Sequence, residues 1–385
     1  MAANGGTHMN FELRVAGALI GGAIGDAMGA PVEGWNAPRI LAWLSIWDFT
    51  KFVPPYQWDG QNPFGKGNGH ITDDTLMTEA LIDAYDAAGA HLDAYGYAKH
   101  ILPRIVTKEV WVPERQTLMP VYERLWWPEK FPRFRLEINN AEPRTAGVGN
   151  CVNCGIAMWI MPVGAVNAGD VWGAYQEAAA IGSAHNESFA VEAAAVLAAA
   201  HAAAFSGSDI AGVLDAALRY AQDGTAKAIH AVLPATVISD TLPAWIDKVR
   251  AAVAPFDQRE THASDDHPLA MPTTLSDLGR PSRTKSIEEL PVALAALKYG
   301  NGDFIKTMRA AVCYGRDCDS IAGMACGLYG AIYGVEALPA SLVRDVDTAN
   351  RRDFAATART LAAAAKRICA EDAKHFAARA KAIGN

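Results

Sequence analysis

Two apolar segments of this sequence carry a small residue at every fourth position. The positions are Gly17, Gly21, Gly25 and Gly29 in the first segment, and Gly323, Gly327 and Ala331 in the second. Residues four apart lie on one face of an α-helix, and each glycine inside a helix costs about 1 kcal/mol relative to alanine. The close approach of two backbones, which a side chain at these positions would prevent, can offset this cost. We predict that both segments are helices whose backbones approach a neighbour closely.

The rest of the chain also has the pattern of helices. Apolar residues recur with helical spacing, alanine is abundant, and no segment shows a convincing alternation with a period of two. The pattern predicts an all-α fold, with helices over residues 13–29, 74–88, 170–182, 188–205, 209–222, 242–253, 287–298, 303–314, 320–333 and 351–382. Two segments richer in proline and polar residues, near 101–144 and 256–285, are predicted to be insertions in a single domain over residues 11–385.

Charge and composition argue against two classes of partner. The chain has 34 basic and 42 acidic side chains, a net charge of −8, and no cluster of five Lys or Arg, so we expect no nucleic-acid partner. Residues 145–169 are uncharged, but their glycines, asparagines and proline are incompatible with a membrane-spanning helix. The six cysteines are too sparse for a disulfide framework and no secretory signal is evident, which favours the cytoplasm. The sequence leaves the oligomeric state open.

The sharpest local motif is the acidic pair Asp73 and Asp74, which follows Thr72 in the segment ITDDT at 71–75. Adjacent carboxylates repel each other, more strongly when they are buried. Two arrangements relieve the repulsion. Both carboxylates can lie solvated at a helix N-terminus that Thr72 caps. Alternatively they bind a divalent cation, and these oxygen ligands suit Mg²⁺, Mn²⁺ or Ca²⁺ rather than zinc.

A second acidic turn precedes the second glycine-containing helix. It contains Asp317, Asp319 and Ser320, and an ordinary helix N-cap is again the simpler interpretation. Carboxylates two residues apart in a turn can also converge on one ion. If the two acidic turns meet in space with Glu33, they supply enough oxygens for two neighbouring metal ions.

Three motifs, in this order, resemble the ADP-ribosylglycohydrolase family. They are GALIGGAIGDAMGAPVE at 17–33, ITDDT at 71–75 and GRDCDSIAGMA at 315–325. The family includes the ADP-ribosylarginine hydrolases and the dinitrogenase reductase activating glycohydrolases. The resemblance extends from about residue 13 to about residue 333. It is specific for the family, though not for a substrate.

The resemblance implies an orthogonal bundle of helices around a cleft that holds two Mg²⁺ or Mn²⁺ ions. The residues that match the metal ligands of the family are Thr72, Asp73, Asp74, Asp317, Asp319 and Ser320. Glu33 matches a glutamate that gates or assists catalysis, and Asp74 and Asp319 are further candidate catalytic residues. The metal ions would orient the ribose hydroxyls and activate water while the glycosidic bond breaks through an oxocarbenium-like state.

Segments that contact substrate in the family also have counterparts here. Residues 155–164, GIAMWIMPVG, resemble a segment that follows a glycine-rich loop, and residues 183–185, SAH, resemble the start of the following helix. Backbone N–H groups of such a loop can bind phosphate oxygens. The candidate substrate-binding residues are Asp26, Gly147, Gly149, Asn150, Gly155, Met158 and His185.

Among the departures from the family pattern, two positions, together with the aromatic insertion near 101–144, leave the leaving group open. Arg316 adds a cation beside the acidic turn, and Trp159 stands where arginine is common. Three functions are therefore considered: removal of ADP-ribose from a modified protein side chain or small molecule, N-glycosidase action on a smaller nucleoside-like metabolite, and a catalytically silent homologue that binds ADP-ribose. The pair Cys151 and Cys154 has zinc-like spacing but no second pair nearby, so it is not predicted to bind zinc.

Overall fold

Helices make up nearly all of the regular structure. The computed structural model describes residues 10–43, 47–55, 66–256 and 286–384. The α-helices there are α1 (Phe11–Gly29), α2 (Ala37–Ala42), α3 (Asp73–Ala88), α4 (Ala94–Gly96), α5 (Leu102–Thr107), α6 (Val121–Arg124), α7 (Trp127–Arg133), α8 (Met161–Val166), α9 (Val171–Gly182), α10 (Phe189–Phe205), α11 (Ile210–Tyr220), α12 (Asp223–Ala235), α13 (Leu242–Val253), α14 (Glu289–Gly300), α15 (Phe304–Tyr314), α16 (Cys318–Tyr333), α17 (Ala340–Asn350) and α18 (Phe354–Ala382). The predicted all-α class is confirmed.

The two glycine-containing helices, α1 and α16, pack antiparallel against each other at the centre of the molecule. A Cβ atom at Gly21 would lie 2.5 Å from the carbonyl oxygen of Cys326, and one at Gly29 would lie 2.5 Å from the Cα of Asp319. Both distances are far below ordinary van der Waals contact, so only glycine permits this approach. The predicted close contact of the backbones is confirmed, and each helix is the other's main neighbour.

An arginine near the start of α1 fixes this pair against a third helix. Arg14 donates hydrogen bonds to the carbonyl oxygens of Ala331 at 2.9 Å and Ile332 at 2.5 Å, in the last turn of α16. The same guanidinium reaches the carbonyl of Ala204 at 3.3 Å, in the last turn of α10. The last carbonyls of a helix have no partner within it. Arg14 therefore satisfies the ends of two helices at once.

The first helix is also long and apolar enough to cross a membrane. The stretch Phe11–Val32 meets that criterion by length and composition, but 89% of its apolar window is buried inside the protein. A buried core helix passes the same test as a membrane span. Its burial against α16 accounts for its apolar character.

The structure corrects the sequence prediction at several elements. A small antiparallel hairpin of β1 (Glu109–Val112) and β2 (Thr117–Pro120) lies in the segment 101–144, where no strand was predicted. Each strand has only four residues, too few to show a period of two. The short helices α2 and α4 to α8, and the longer helices α12 and α17, were not predicted either. The last helix begins at Phe354 rather than at Arg351, which adopts a left-handed conformation. The second predicted insertion, near 256–285, lies almost wholly outside the described residues.

Candidate metal centre and active site

The two helices that begin with acidic motifs have no capping hydrogen bond from the residue before them. Five other helices begin after an aspartate whose carboxylate accepts a hydrogen bond from a backbone N–H in the first turn; these are Asp93, Asp170, Asp209, Asp303 and Asp353. By contrast, Thr72 before α3 and Asp317 before α16 make no such bond. The interpretation of Thr72 as an ordinary helix cap is therefore wrong. Ser320 or Asp319 as the cap of the second helix is also wrong, because both lie inside α16 and the residue before it, Asp317, makes no such bond. The side chains of Thr72 and Asp317 have other partners.

Asp26 of α1 caps α3 from outside the helix. Its carboxylate accepts hydrogen bonds from the backbone N–H of Thr72 at 3.0 Å and of Thr75 at 3.3 Å, and from the Thr75 hydroxyl at 2.5 Å. Burial raises the pKa of Asp26 to about 7, and the hydrogen bond from Thr75 opposes this rise. Asp26 is fully buried, so in this structure it positions α3 against α1. Its predicted contact with substrate stays a prediction.

The first turns of α3 and α16 bring the predicted acidic residues together. One carboxylate oxygen each of Asp26, Asp74 and Asp319 lie within 4.8 Å of one another, and the same is true of Glu33, Asp317 and Asp319. Asp319 belongs to both groups and joins them. The two acidic turns therefore meet with Glu33, as a site for two ions requires.

Hydroxyl groups and a lysine surround these carboxylates. The Thr72 hydroxyl donates to Oδ2 of Asp74 at 3.1 Å, and Oγ of Ser320 lies 4.0 Å from the sulfur of Met158. Burial raises the pKa of Asp73, which lies close enough to feel the charges of Lys66 and Asp319. The candidate metal ligands of the two turns therefore lie together where the first turns of α3 and α16 meet.

Two oxygens in this cluster are buried without a hydrogen-bond partner among the described residues. They are Oδ1 of Asp74 and Oδ1 of Asp319. Burial and the charges of nearby aspartates raise the pKa of Asp74 well above its ordinary range, and burial raises that of Asp317 to about 7. Buried carboxylates that repel one another are costly without a compensating cation. The set of carboxylate and hydroxyl oxygens fits hard divalent ions such as Mg²⁺ or Mn²⁺.

Lys66 lies within the cluster, although no sequence motif marks it. Its ammonium group forms an ion pair with Glu33 and lies 3.6 Å from Oδ2 of Asp319. The side chains of Lys66 and Glu33 are 23% and 32% exposed, whereas that of Asp319 is 4% exposed. This side of the cluster is therefore the one that solvent reaches. Only the fold places Lys66 here, and its surroundings in the sequence contain no signal that could have identified it.

The segment 101–144 packs against the start of α3. Arg124 and Glu114 form a buried ion pair at 2.6 Å, and Arg124 also reaches the carbonyl oxygen of Ile71 at 3.5 Å. This predicted insertion therefore contributes directly to the walls of the site. Two of its tryptophans, Trp126 and Trp127, remain about half exposed.

The same segment contributes Glu129, a buried carboxyl group that the sequence analysis did not identify. Its Oε1 accepts a hydrogen bond from the Asn153 side chain at 3.3 Å, while its Oε2 has no partner among the described residues. Burial and the charge of Asp73 raise the pKa of Glu129 to about 8. A side chain at Gly155 would collide with Oε1, so this glycine leaves room for Glu129.

The glycine-rich loop, residues 146–150, lies against the segment that precedes α10. The N–H of Gly147 donates to the carbonyl oxygen of Ser183 at 3.0 Å, and the N–H of Gly149 donates to Oε1 of Glu187 at 3.0 Å. Both N–H groups that were predicted to bind phosphate therefore have protein partners in this structure. A phosphate at this loop would have to displace them.

Asn150 and His185 hold this loop in place and lie outside the acidic cluster. The amide of Asn150 donates to the carbonyl oxygens of Pro128 and His185, both at 2.8 Å. The His185 ring is fully buried and packs edge-on against the rings of Tyr97 and Trp159. Burial lowers the pKa of His185 to about 3, so the ring is neutral. The structure therefore places both residues in the packing beneath the loop.

The two positions that depart from the family pattern have partners within the protein. Trp159 is fully buried and its indole N–H donates to the carbonyl oxygen of Gly155. Arg316 forms a buried ion pair with Glu288 at 2.6 Å. Neither side chain presents an open surface for a ligand.

A cavity of about 30 Å³ lies behind the cluster, between α1, α16 and α10. Asp74, Thr78, Met158 and His201 are among the residues that line it. A cavity of this size holds about one or two water molecules and no sugar. A molecule larger than this would reach the cluster from the partly exposed side of Glu33 and Lys66.

Comparison with known proteins agrees with the fold and the motifs. The family model described as ADP-ribosylglycohydrolase matches residues 7–373. A protein of Escherichia coli (strain K12) described as "Uncharacterized protein YegU" is 27% identical over 353 residues, which are 91% of this chain and 96% of that protein. A solved structure described as "ADP-ribosylglycohydrolase-related protein complex" is 21% identical with a TM-score of 0.59, covers 92% of this chain and 99% of its own, and shows the fold alone. Because the family model spans nearly the whole sequence, this chain belongs to the ADP-ribosylglycohydrolase family.

Proposed function

We propose that this protein is a metal-dependent glycohydrolase that removes ADP-ribose from a modified protein side chain or small molecule by cleaving a ribosyl glycosidic bond. The observation that carries the proposal is the carboxylate cluster at the joined ends of α3 and α16, with two buried oxygens that lack a partner among the described residues. Membership of the family supports glycosidic hydrolysis. The metal requirement, the substrate and a cytoplasmic location are parts of the proposal.

The residues of the two turns would hold two Mg²⁺ or Mn²⁺ ions. When bound, these ions supply Lewis acidity and chelation of ribose hydroxyls. The proposed ligands are Thr72, Asp73, Asp74, Asp317, Asp319 and Ser320. The hydrogen bond from Thr72 to Asp74 and the contact of α1 with Asp319 fix the carboxylates before substrate arrives. Such preorganisation lowers the cost of binding a charged transition state.

Glu33 is the proposed general base. Its carboxylate belongs to the group with Asp317 and Asp319, yet a third of its side chain is exposed. It can therefore accept a proton from a water molecule that attacks the anomeric carbon, while the buried aspartates cannot be reached from solvent as readily. The ammonium of Lys66 beside it compensates part of the negative charge.

The other two functions have less support. The case for a nucleoside-like substrate depended on Trp159, Arg316 and the insertion near 101–144. Trp159 is buried in the core and Arg316 pairs with Glu288, so of these features only the insertion, with its half-exposed Trp126 and Trp127, still favours it. The case for a silent homologue is opposed by the buried oxygens of Asp74 and Asp319 that have no partner among the described residues, since such groups destabilise a protein that has no use for them.

The proposal is tested by measuring Mg²⁺-dependent release of product from ADP-ribosyl-arginine, ADP-ribosyl-serine and simple nucleosides in parallel. We expect release from an ADP-ribosylated substrate that stops when the metal is chelated. Glu33→Gln should lower kcat by about 100-fold or more, the usual contribution of a general base, and Asp319→Asn should abolish turnover. The matched control is Asp86→Asn, which removes an exposed acid that pairs with Arg367 far from the cluster.

Three outcomes would contradict the proposal. Unchanged turnover in folded Asp319→Asn would exclude the role of the cluster in hydrolysis. Release from nucleosides alone would favour the N-glycosidase alternative, and binding of ADP-ribose without turnover of any substrate would favour the silent homologue.

A further inference from the structure

A third group of potential ligands lies beside the proposed centre and contains a cysteine. The sulfur of Cys154 and one carboxylate oxygen each of Glu289 and Asp317 lie within 4.8 Å of one another. Cys154 comes from the loop before a 3₁₀ turn at Ala157–Trp159, Glu289 is the first residue of α14, and Asp317 precedes α16. Three separate elements therefore converge on this point.

Neither Cys154 nor Glu289 has a role in the proposed hydrolysis. Both are buried, with exposures of 3% and 5%. Oε2 of Glu289 is a buried oxygen without a partner among the described residues, and the Cys154 thiol donates to Oδ2 of Asp317 at 2.8 Å. The neighbouring Glu288 already pairs with Arg316. A buried carboxylate that faces a thiol and another carboxylate is the arrangement of a ligand set.

A divalent cation at this point would stabilise the Cys154 thiolate and the carboxylates of Glu289 and Asp317 directly, because it offsets the negative charge that burial disfavours.

We propose that Cys154, Glu289 and Asp317 bind one borderline-soft divalent transition-metal ion, of the Zn²⁺ class, next to the centre for hard ions. A thiolate ligand favours such an ion over Mg²⁺ or Ca²⁺. Bonds of about 2.3 Å to sulfur and about 2.1 Å to oxygen place two ligands at most roughly 4.5 Å apart, so small side-chain movements close the present set around an ion. Three protein ligands leave a fourth position for water.

Binding of the metal ion at this site requires no further reactant. The Cys154 S–H bond breaks, its proton passes to solvent, and the sulfur lone pair forms the bond to the metal. The hydrogen bond from the thiol to Asp317 is replaced by two metal–ligand bonds. The site does not depend on the glycohydrolase reaction, although Asp317 is shared with the proposed Mg²⁺ ligands.

Cys151 provides a matched control for Cys154. It lies three residues earlier in the same loop, but it is exposed and does not belong to the ligand group. A metal bound at the proposed site therefore requires Cys154 and not Cys151. This differs from a zinc site made by the two cysteines together, which would need both.

The test is a titration of the reduced full-length protein with Co²⁺ in the presence of excess Mg²⁺. We expect a thiolate-to-cobalt charge-transfer band that saturates at one ion per chain. The band should persist in Cys151→Ser and disappear in Cys154→Ser, and Glu289→Gln should weaken Co²⁺ binding about tenfold or more. Asp319→Asn should keep the band while losing hydrolysis, so failure of this site and failure of the proposed function can be told apart.

Wild-type protein provides a second measurement if the Cys154→Ser variant does not fold. Zn²⁺ should slow the alkylation of Cys154, which mass spectrometry follows during brief partial unfolding of the protein. It should leave the labelling of Cys151 unchanged. A charge-transfer band that survives in Cys154→Ser would overturn the proposal. So would a band lost in Cys151→Ser, or the absence of both the band and the protection in the wild-type protein.

Discussion

At the candidate metal centre, a residue of another helix caps the first turn of α3. Aspartates such as Asp209 and Asp303 cap their own helices, whereas Thr72 and Asp317 leave that position unused. The sequence made capping the simpler explanation for both acidic turns. The sequence alone could not exclude capping by Thr72, because the residue that caps α3 instead is Asp26, which lies in another helix.

Lys66 leads to a prediction about the energetics of the same centre. Its ammonium contacts Glu33 and lies near Asp319, so a divalent cation must displace it or tolerate its repulsion. Lys66→Met should lower the melting temperature of the metal-free protein. It should also increase the rise in melting temperature that Mg²⁺ produces, with apparent binding about tenfold tighter. Thermal unfolding across a Mg²⁺ titration measures both effects.

Lys108→Met is the control for that experiment, because Lys108 pairs with Asp83 outside the cluster. It should leave the Mg²⁺-induced shift as it is in the wild-type protein. A shift in Lys66→Met that is equal to or smaller than that of the wild type would show that the lysine does not compete with the metal.

Among the secondary-structure elements, the contact of α1 with α16 determines where the site forms. Because Gly29 has no side chain, the backbone of Asp319 packs directly on the end of α1. The spacing of the glycines was sufficient to predict such contacts, since it is a local pattern. Which neighbour each helix packs against was not predictable, because neither helix contains a local pattern that specifies its partner.

Adjacent glycines of α1 allow this contact to be tested. A Cβ at Gly21 would lie 2.5 Å from the Cys326 carbonyl oxygen, while one at Gly22 would lie 3.5 Å from the nearest atom, the carbonyl oxygen of Gly323. Gly21→Ala should therefore destabilise the protein by about 1–3 kcal/mol through overpacking. Gly22→Ala should be neutral or stabilise it by up to about 1 kcal/mol, since alanine favours the helix. Urea denaturation gives both free energies of unfolding, and equal effects of the two changes would contradict the packing.

The whole molecule brings distant parts of the chain to the start of α3. The side chain of Asn350, at the end of α17, donates to the carbonyl oxygen of Gly69 at 2.8 Å and accepts from the N–H of Ile71 at 3.1 Å. Arg124 of the segment 101–144 contacts the carbonyl oxygen of Ile71. The position of the acidic turn therefore depends on residues more than fifty positions away from it in the sequence.

A histidine bridge on the other side of the molecule predicts how stability depends on pH. His91, which follows α3, contacts Glu177 of α9 at 2.5 Å and Asp372 of α18 at 3.0 Å. The hydrogen bond with Glu177 is the main reason that the pKa of His91 rises from 6.5 to about 9. Because the charged form is favoured in the folded state, its stabilisation is complete below pH 6.5 and is lost as the pH rises through about 9.

The change in the free energy of unfolding should be about 1 kcal/mol, a small value because the His91 side chain is 37% exposed. Urea denaturation at about pH 6 and about pH 10 measures it, and His91→Gln should reduce the difference between the two conditions. If the variant and the wild-type protein lose the same stability over this range, the bridge is not responsible.

The sequence by itself determined the features that depend on neighbours along the chain. These are the all-α class, most of the long helices, the glycine series and the ordered acidic motifs, because periodicity and turn composition act over a few residues. Tertiary structure alone decided which distant groups meet. The cap that Asp26 provides for α3, the ion pair of Lys66 and the meeting of Cys154 with Glu289 all join residues far apart in sequence. No local pattern encodes such contacts, since they arise from the packing of whole helices against one another.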